Sequence, residues 1–246
     1  MEPSNQKVAL VTGSSRGIGR AIAIRLAKDG FFVYVHCAGN LTKANEVAEI
    51  IRANGGKAQV LAANLCDLSE TKRLLTEVHN VDVLVLNASL QIRNGWQTIP
   101  PEEAYEQLNC NFLSSLLLIQ GVADHMKEQH FGRIVTIGSV QEAKPHPDML
   151  IYSASKAAQT NMVRSLSLQL AKDGITVNNV APGVIYTDRN VEALSDAAYA
   201  KQVTDSIPVG FYGVPEDCAG MVSLLCSEEG RYITGQSIYV DGGKSL

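Results

Sequence analysis

Tyr152 and Lys156 stand four residues apart in Tyr-Ser-Ala-Ser-Lys, and Ser139 lies thirteen positions before the tyrosine. On a helix four residues is about one turn, so the phenol and the ammonium leave the same face. A lysine held beside a tyrosine favours the phenolate and is expected to lower the phenol from its ordinary value of about 10. Such a pair can give and take a proton near neutral pH. The spacing alone fits a surface pair on an ordinary helix equally well, so the rest of the chain has to decide. A second stretch with chemical capacity is Thr12-Gly13-Ser14-Ser15-Arg16-Gly17-Ile18-Gly19. Glycines there permit a tight turn and close backbone approach, and a helix N-terminus behind them favours phosphate oxygens.

The elements that must carry these residues can be read from the apolar pattern. Strand-like runs occupy Val8–Val11, Phe31–His36, Ala58–Ala62, Val81–Leu86, Arg133–Ile137, Thr176–Val180 and Ser237–Val240. Helix-length amphipathic segments lie between them, near 17–29, 41–54, 69–78, 102–128, 152–173 and 215–226. Continuous apolar strands that alternate with helices predict an α/β fold with a parallel sheet covered on both faces. Right-handed crossovers make a single doubly wound Rossmann domain of seven strands over residues 1–246 the natural topology. Residues 184–212 depart from the pattern. A long insertion after a strand's carboxyl end reads as a lid over a ligand site.

Composition limits the alternatives. The chain has 246 residues, 46% hydrophobic and 19% charged, which is a globular balance. A net charge of -4 and the lack of a Lys/Arg-rich run argue against nucleic acid as a partner. Five scattered cysteines without a CxxC pair fit a reducing cytoplasm rather than a disulfide framework or zinc site. The five histidines form no HExxH-type cluster, and no metal is expected. The N-terminus lacks a signal pattern, and the apolar stretch at Leu116–Ile119 is too short to span a bilayer, so a soluble protein without a membrane partner is expected.

The glycine spacing, GxxxGxG behind a strand and opening a helix, differs from the GxGxxG dinucleotide fingerprint. With it the chain resembles the short-chain dehydrogenase/reductase family, whose first loop reads TGxxxGxG. The resemblance runs from Lys7 to Gly243 and lies nearest the classical subfamily that holds the 3-oxoacyl-[acyl-carrier-protein] reductases. It implies that Gly13, Ser15, Arg16, Gly17, Ile18 and Gly19 hold the cofactor phosphates. It further implies adenine contacts from Asn64 and Leu65, and cofactor contacts from Asn87, Ala88 and Ser89. Ser89 stands where the family normally has glycine. Pro182 and Gly183 shape the turn after the sixth strand, with Ile185 and Thr187 reaching the nicotinamide amide and pyrophosphate.

For the chemistry, the resemblance implies a tetrad of Asn111, Ser139, Tyr152 and Lys156. Ser139 holds the substrate oxygen, and Tyr152 is the general acid in reduction and base in oxidation. Lys156 tunes the tyrosine and binds ribose hydroxyls, and Asn111 supports a water in the proton relay. Charge argues for NADP(H) over NAD(H), with NAD(H) still possible. No acid follows the second strand in Val35-His36-Cys37-Ala38-Gly39-Asn40 to hold a ribose 2'-OH, and Arg16 lies in the glycine loop.

The substrate pocket should draw on Gln91, Ile92, Asn94, Trp96, Gln141, Ala143, Met149 and the lid, a mixture that suits a polar ketone, a sugar or a β-ketoacyl thioester alike. The helices at 102–128 and 152–173 correspond to the family's dimer faces, and the C-terminal segment to the one that completes its homotetramer. Three functions are thus open: an NADP(H)-dependent carbonyl reductase close to the 3-oxoacyl reductases, a sugar or polyol dehydrogenase, and a non-catalytic NADP(H)-binding regulator. The complete tetrad favours an enzyme.

Overall fold

The computed structural model describes residues 6–246. Seven parallel strands make one sheet in the order β3-β2-β1-β4-β5-β6-β7. They are β1 (Val8–Val11), β2 (Phe32–Cys37), β3 (Lys57–Ala62), β4 (Val81–Leu86), β5 (Gly132–Ile137), β6 (Ile175–Pro182) and β7 (Ser237–Val240). Parallel neighbours need crossovers, and helices supply them. These are α1 (Gly17–Lys28), α2 (Leu41–Ala53), α3 (Leu68–Glu77), α4 (Pro101–Leu108), α5 (Ser114–Glu128), α6 (Leu150–Leu170), α7 (Val191–Leu194), α8 (Ala197–Asp205) and α9 (Pro215–Cys226).

Alternation along each strand divides the core in two. Ala9, Val11, Val33, Val35, Val83, Val85, Val135 and Ile137 point to one face, where Ile22, Leu26, Val47, Ile51, Val222 and Leu225 of α1, α2 and α9 cover them. Leu10, Leu84, Leu86, Ile134 and Val177 point to the other, under Leu74, Leu118, Val122, Met126 and Val163 of α3, α5 and α6. The central strands are therefore apolar on both sides, which is why they read as unbroken runs.

Strand order reverses between β1 and β4, whose crossovers leave toward opposite ends of the sheet. A crevice opens there beyond the carboxyl ends, the place where such sheets take ligands. The expected helix over 102–128 is not continuous. A π-helical turn at Asn109–Leu113 separates α4 from α5. The region expected as a lid holds α7 and α8, with Leu194 and Ile207 buried while Val191, Tyr199 and Phe211 stay exposed. Among the described residues no helix is long and apolar enough to cross a membrane.

Candidate active site

The glycine loop is laid flat on the end of β4. Thr12 N–H donates to the Val85 carbonyl at 2.9 Å, and Thr12 Oγ1 accepts from Asn87 N–H at 2.9 Å and Ala88 N–H at 3.0 Å. The Asn87 side-chain amide donates to the carbonyls of Thr12 and Gly13, each at 2.9 Å. Gly13 has a φ of +61°, and a Cβ there would come within 2.9 Å of Ala88 Cα. A Cβ on Gly19 would lie 2.4 Å from both Asn87 Nδ2 and Gly13 O. Only glycine admits this approach. Behind the loop, α1 starts with no side-chain cap and no acid in its first turn, so its first N–H groups are left for an anion. A backbone cradle of that size and polarity fits the pyrophosphate of a dinucleotide.

His36, at the end of β2, fixes the cradle from below. Gly13 N–H donates to its Nδ1 at 3.0 Å, while its Nε2 donates to the Ala63 carbonyl at 3.0 Å. That pair of bonds requires the neutral imidazole. Burial pushes its pKa down to about 4, against the opposing pull of the Ala63 carbonyl. Ser14 closes the joint: its N–H donates to His36 O, its hydroxyl accepts from His36 N–H, and it donates to Val11 O.

Beyond the end of β2, where the sequence predicts the ribose, Arg16 is exposed and Lys43 lies in the first turn of α2, where Asn40 Oδ1 accepts from Lys43 N–H at 3.0 Å. Lys43 Nζ pairs with Asp188 at 3.0 Å. The bond from Lys43 holds the Asp188 carboxyl below its ordinary range, with Arg16 adding to the effect. Asn64 is exposed and Leu65 is buried in the core. Their turn is held by Asn64 N–H donating to Glu70 and Asn64 Oδ1 accepting from Cys66 N–H. On the far side Pro182 ends β6, and Gly183 passes so close to Asp241 that a Cβ would meet its Cα at 2.7 Å. Ile185 is buried, and Thr187 lies against Gly17.

The catalytic candidates meet at the carboxyl ends of β4 and β5. Ser139 follows β5, and its hydroxyl accepts from Gln141 N–H at 3.1 Å and lies near enough to the Tyr152 hydroxyl to favour its phenolate. Tyr152 and Lys156, on α6, are buried. The expected lowering of the phenol by Lys156 is not what the structure gives. Burial raises Tyr152 above its ordinary value, and Arg189 and the Ser139 hydroxyl only partly oppose the rise. Lys156 turns instead to the sheet, donating to the Ile137 carbonyl at 2.7 Å and Gln159 Oε1 at 3.0 Å, with Nζ 5.7 Å from the centre of the Tyr152 ring. Desolvation, with repulsion from Arg189, lowers the ammonium to about 8.

Asn111 sits in the π-helical turn, fully buried. Its Oδ1 accepts from Leu90 N–H at 2.8 Å, and its Nδ2 donates to Leu90 O at 2.9 Å and Ser155 Oγ at 3.0 Å. The side chain thus ties the loop after β4 to α6. Its own carbonyl accepts from Ser115 at 3.2 Å.

The short chain dehydrogenase family matches residues 7–198. The chain belongs to the short-chain dehydrogenase family. Among its relatives is the 3-oxoacyl-[acyl-carrier-protein] reductase FabG of Staphylococcus aureus (strain Mu50), 39% identical over 96% of this chain and 97% of that protein. Glucose 1-dehydrogenase 2 of Bacillus subtilis is 35% identical over 98% of this chain and 95% of its own. The crystal structure of YwfH, an NADPH-dependent reductase involved in bacilysin biosynthesis, superimposes with a TM-score of 0.93 at 30% identity, covering 98% of both chains.

Within this short-chain dehydrogenase the substrate side departs from expectation. Gln91 and Gln141 do come together, both amides donating to Met149 Sδ, at 2.9 and 3.4 Å. Trp96 is 68% exposed and Ala143 is exposed. Asn94 is committed to Glu103 at 2.5 Å. Ile92 and Asn94 line a separate small hollow with Gln107 and Ile151. Sequence reasoning missed His36, Lys43, Gln159 and Arg189. Lys43 had a signal, a basic residue in the first turn after β2. Arg189 is the larger omission, because it donates to the Ser89 carbonyl at 3.1 Å, Ser89 Oγ at 3.2 Å and Gln91 Oε1 at 3.4 Å, and lies near enough to Tyr152 to favour its phenolate.

Proposed function

We propose that this oxidoreductase interconverts a carbonyl and a secondary alcohol with NADP(H), acting as a ketoreductase on 3-oxoacyl thioesters or related small oxo compounds. The observation that carries the reading is the Ser139–Tyr152 hydroxyl pair, with the Lys156 ammonium buried behind it, at the sheet edge that also holds the glycine cradle. A dinucleotide bound in that cradle supplies the hydride. Ser139 and Tyr152 hold the substrate oxygen between their hydroxyls. Tyr152, kept protonated by its burial, gives its proton to that oxygen as the carbonyl carbon is reduced. Lys156 brings positive charge to the site, and Asn111 fixes the floor on which Leu90 and Ser155 rest.

Preference for NADP(H) rests on Arg16 and Lys43 at the ribose end, with no acid between Val35 and Asn40 to repel a 2'-phosphate. The second reading, a sugar or polyol dehydrogenase, is favoured by the two glutamine amides at Met149 and by the likeness to glucose 1-dehydrogenase 2. A panel of acyl thioesters and sugars, each with NADPH/NADP and NADH/NAD, separates the two. Tyr152→Phe should lower turnover about 100- to 10,000-fold while NADPH still binds by fluorescence titration. Undiminished turnover in that variant would remove Tyr152 from the mechanism. A cytoplasmic homotetramer completes the proposal.

A further inference from the structure

The strap between β6 and α7 turns two adjacent charges to opposite ends of the crevice. Asp188 faces Lys43 at the ribose end, while Arg189 crosses to the substrate side and meets Ser89, Gln91 and Tyr152. Every acceptor so used is neutral, and among the described residues no ion pair includes Arg189. Arg189 is exposed to solvent, and a guanidinium is a rigid fork matched to a carboxylate, so bonds to a carbonyl and two polar side chains leave that fork open to an anion. Lys156 places a second cation close enough to be felt. Glu142, the carboxylate felt by Lys156 and Tyr152, is occupied by the side chains of Thr160 at 2.8 Å, Asn179 at 2.9 Å and Ser237 at 2.5 Å.

We propose that Arg189 is the specificity-determining residue for an anionic substrate, and that the compound reduced or oxidised carries a carboxylate next to its oxo or hydroxyl group. This rests on the carbonyl–alcohol reading above and narrows it to the small oxo compounds that are free acids, away from acyl thioesters. The geometry sets the spacing. An oxygen held by Tyr152 and an anion held by a guanidinium that also reaches Tyr152 lie within about 3–6 Å of each other. That is the separation in 2-oxo and 3-oxo acids and their hydroxy acids. Ser89 has a structural part, since both its carbonyl and its hydroxyl aim the fork. A glycine there would supply the carbonyl alone.

The test compares 2-oxo and 3-oxo acids of four to six carbons with their methyl esters, using NADPH and purified wild-type, Arg189→Gln and Arg189→Lys proteins. Wild type should show kcat/KM at least tenfold higher for acids than for esters. Arg189→Gln should shrink that ratio at least tenfold, mainly through KM for the acids, and Arg189→Lys should restore part of it. Equal use of acids and esters by wild type would overturn the proposal, and so would a uniform fall for both in Arg189→Gln, which would leave the residue a strut for the strap. A second measurement is independent of turnover. Calorimetric titration of the NADPH-loaded protein with oxamate should give binding at least tenfold weaker in Arg189→Gln. Arg189-dependent oxamate binding without turnover of any carbonyl would support the anion site and overturn the assigned activity, whereas ester turnover with no oxamate binding would do the reverse.

Discussion

A neutral imidazole holds the glycine turn proposed to take the cofactor phosphates. His36 accepts from Gly13 and donates to Ala63, so the protonated ring would lose the first bond and set a charge against a peptide N–H. The sign of the resulting pH dependence follows from the lowered pKa. In the unfolded chain the ring takes up its proton near its ordinary value of 6.5, whereas the folded ring resists until about pH 4. The unfolded state therefore binds more protons between those values, and stability falls as the pH drops from 6.5 toward 4. The whole effect is about 3 kcal/mol, fully retained above pH 6.5. Urea unfolding between pH 4 and 7 should show this slope in wild type and a shallower one in His36→Gln. An identical slope in both proteins would assign the acid sensitivity to carboxylates instead. The same reasoning at Tyr152 and Lys156 shows what spacing could not reveal. Four residues on a helix put the two side chains on one face, but burial and the nearby Arg189 shift their protonation, and neither is visible in the interval between them.

The element that matters most to the site is the irregular one. The π-helical turn at Asn109–Leu113 lies between α4 and α5, and such turns are common at functional sites. It brings Asn111 to Leu90, satisfying both backbone groups of the loop that follows β4. Asn111→Leu would leave the part-buried Leu90 N–H and carbonyl without those partners, at up to about 1–3 kcal/mol each. The expected outcome is a loss of about 2–4 kcal/mol in chemical denaturation, together with a lower kcat, because Leu90 adjoins the 87–89 segment. Asn111→Asp keeps an acceptor for Leu90 N–H and should be milder. Equal stability of Asn111→Leu and wild type would show that the amide carries no structural load. The strands and most helices were legible because apolar runs such as Val81–Leu86 and Arg133–Ile137 can only be buried on both faces. The π turn was not, since Asn-Cys-Asn-Phe-Leu continues the amphipathic pattern of its flanks. Arg189 was hidden for another reason. Thr-Asp-Arg-Asn reads as a solvated charge cluster, and its contact with Ser89 spans 100 residues of sequence.

At the scale of the molecule, several large apolar side chains stay exposed among the described residues, and two groups of them lie on helices and at a sheet edge suited to pairing. Leu168 on α6 is 84% exposed, and Tyr105 and Leu113 are exposed on and just after α4. At the other end, β7 is an edge strand, with Tyr239, Tyr232 and Leu246 exposed around it. Open edges and large exposed apolar side chains are liabilities that soluble chains cover by association. Two such surfaces, each pairing with itself, build a dimer of dimers with closed symmetry. Four chains of 26.5 kDa make about 106 kDa, the mass expected from light scattering of the wild type. Leu168→Glu would set a carboxylate on the proposed α6 pairing surface, where two copies would face each other unpaired. It should halve the assembly to about 53 kDa while leaving the β7-edge pairing in place. Tyr232→Asp addresses the β7 edge in the same way, and the two substitutions combined should give the 26.5 kDa chain. A wild-type mass of 26.5 kDa, or a tetramer that survives both changes, would show that these surfaces do not join copies of the chain.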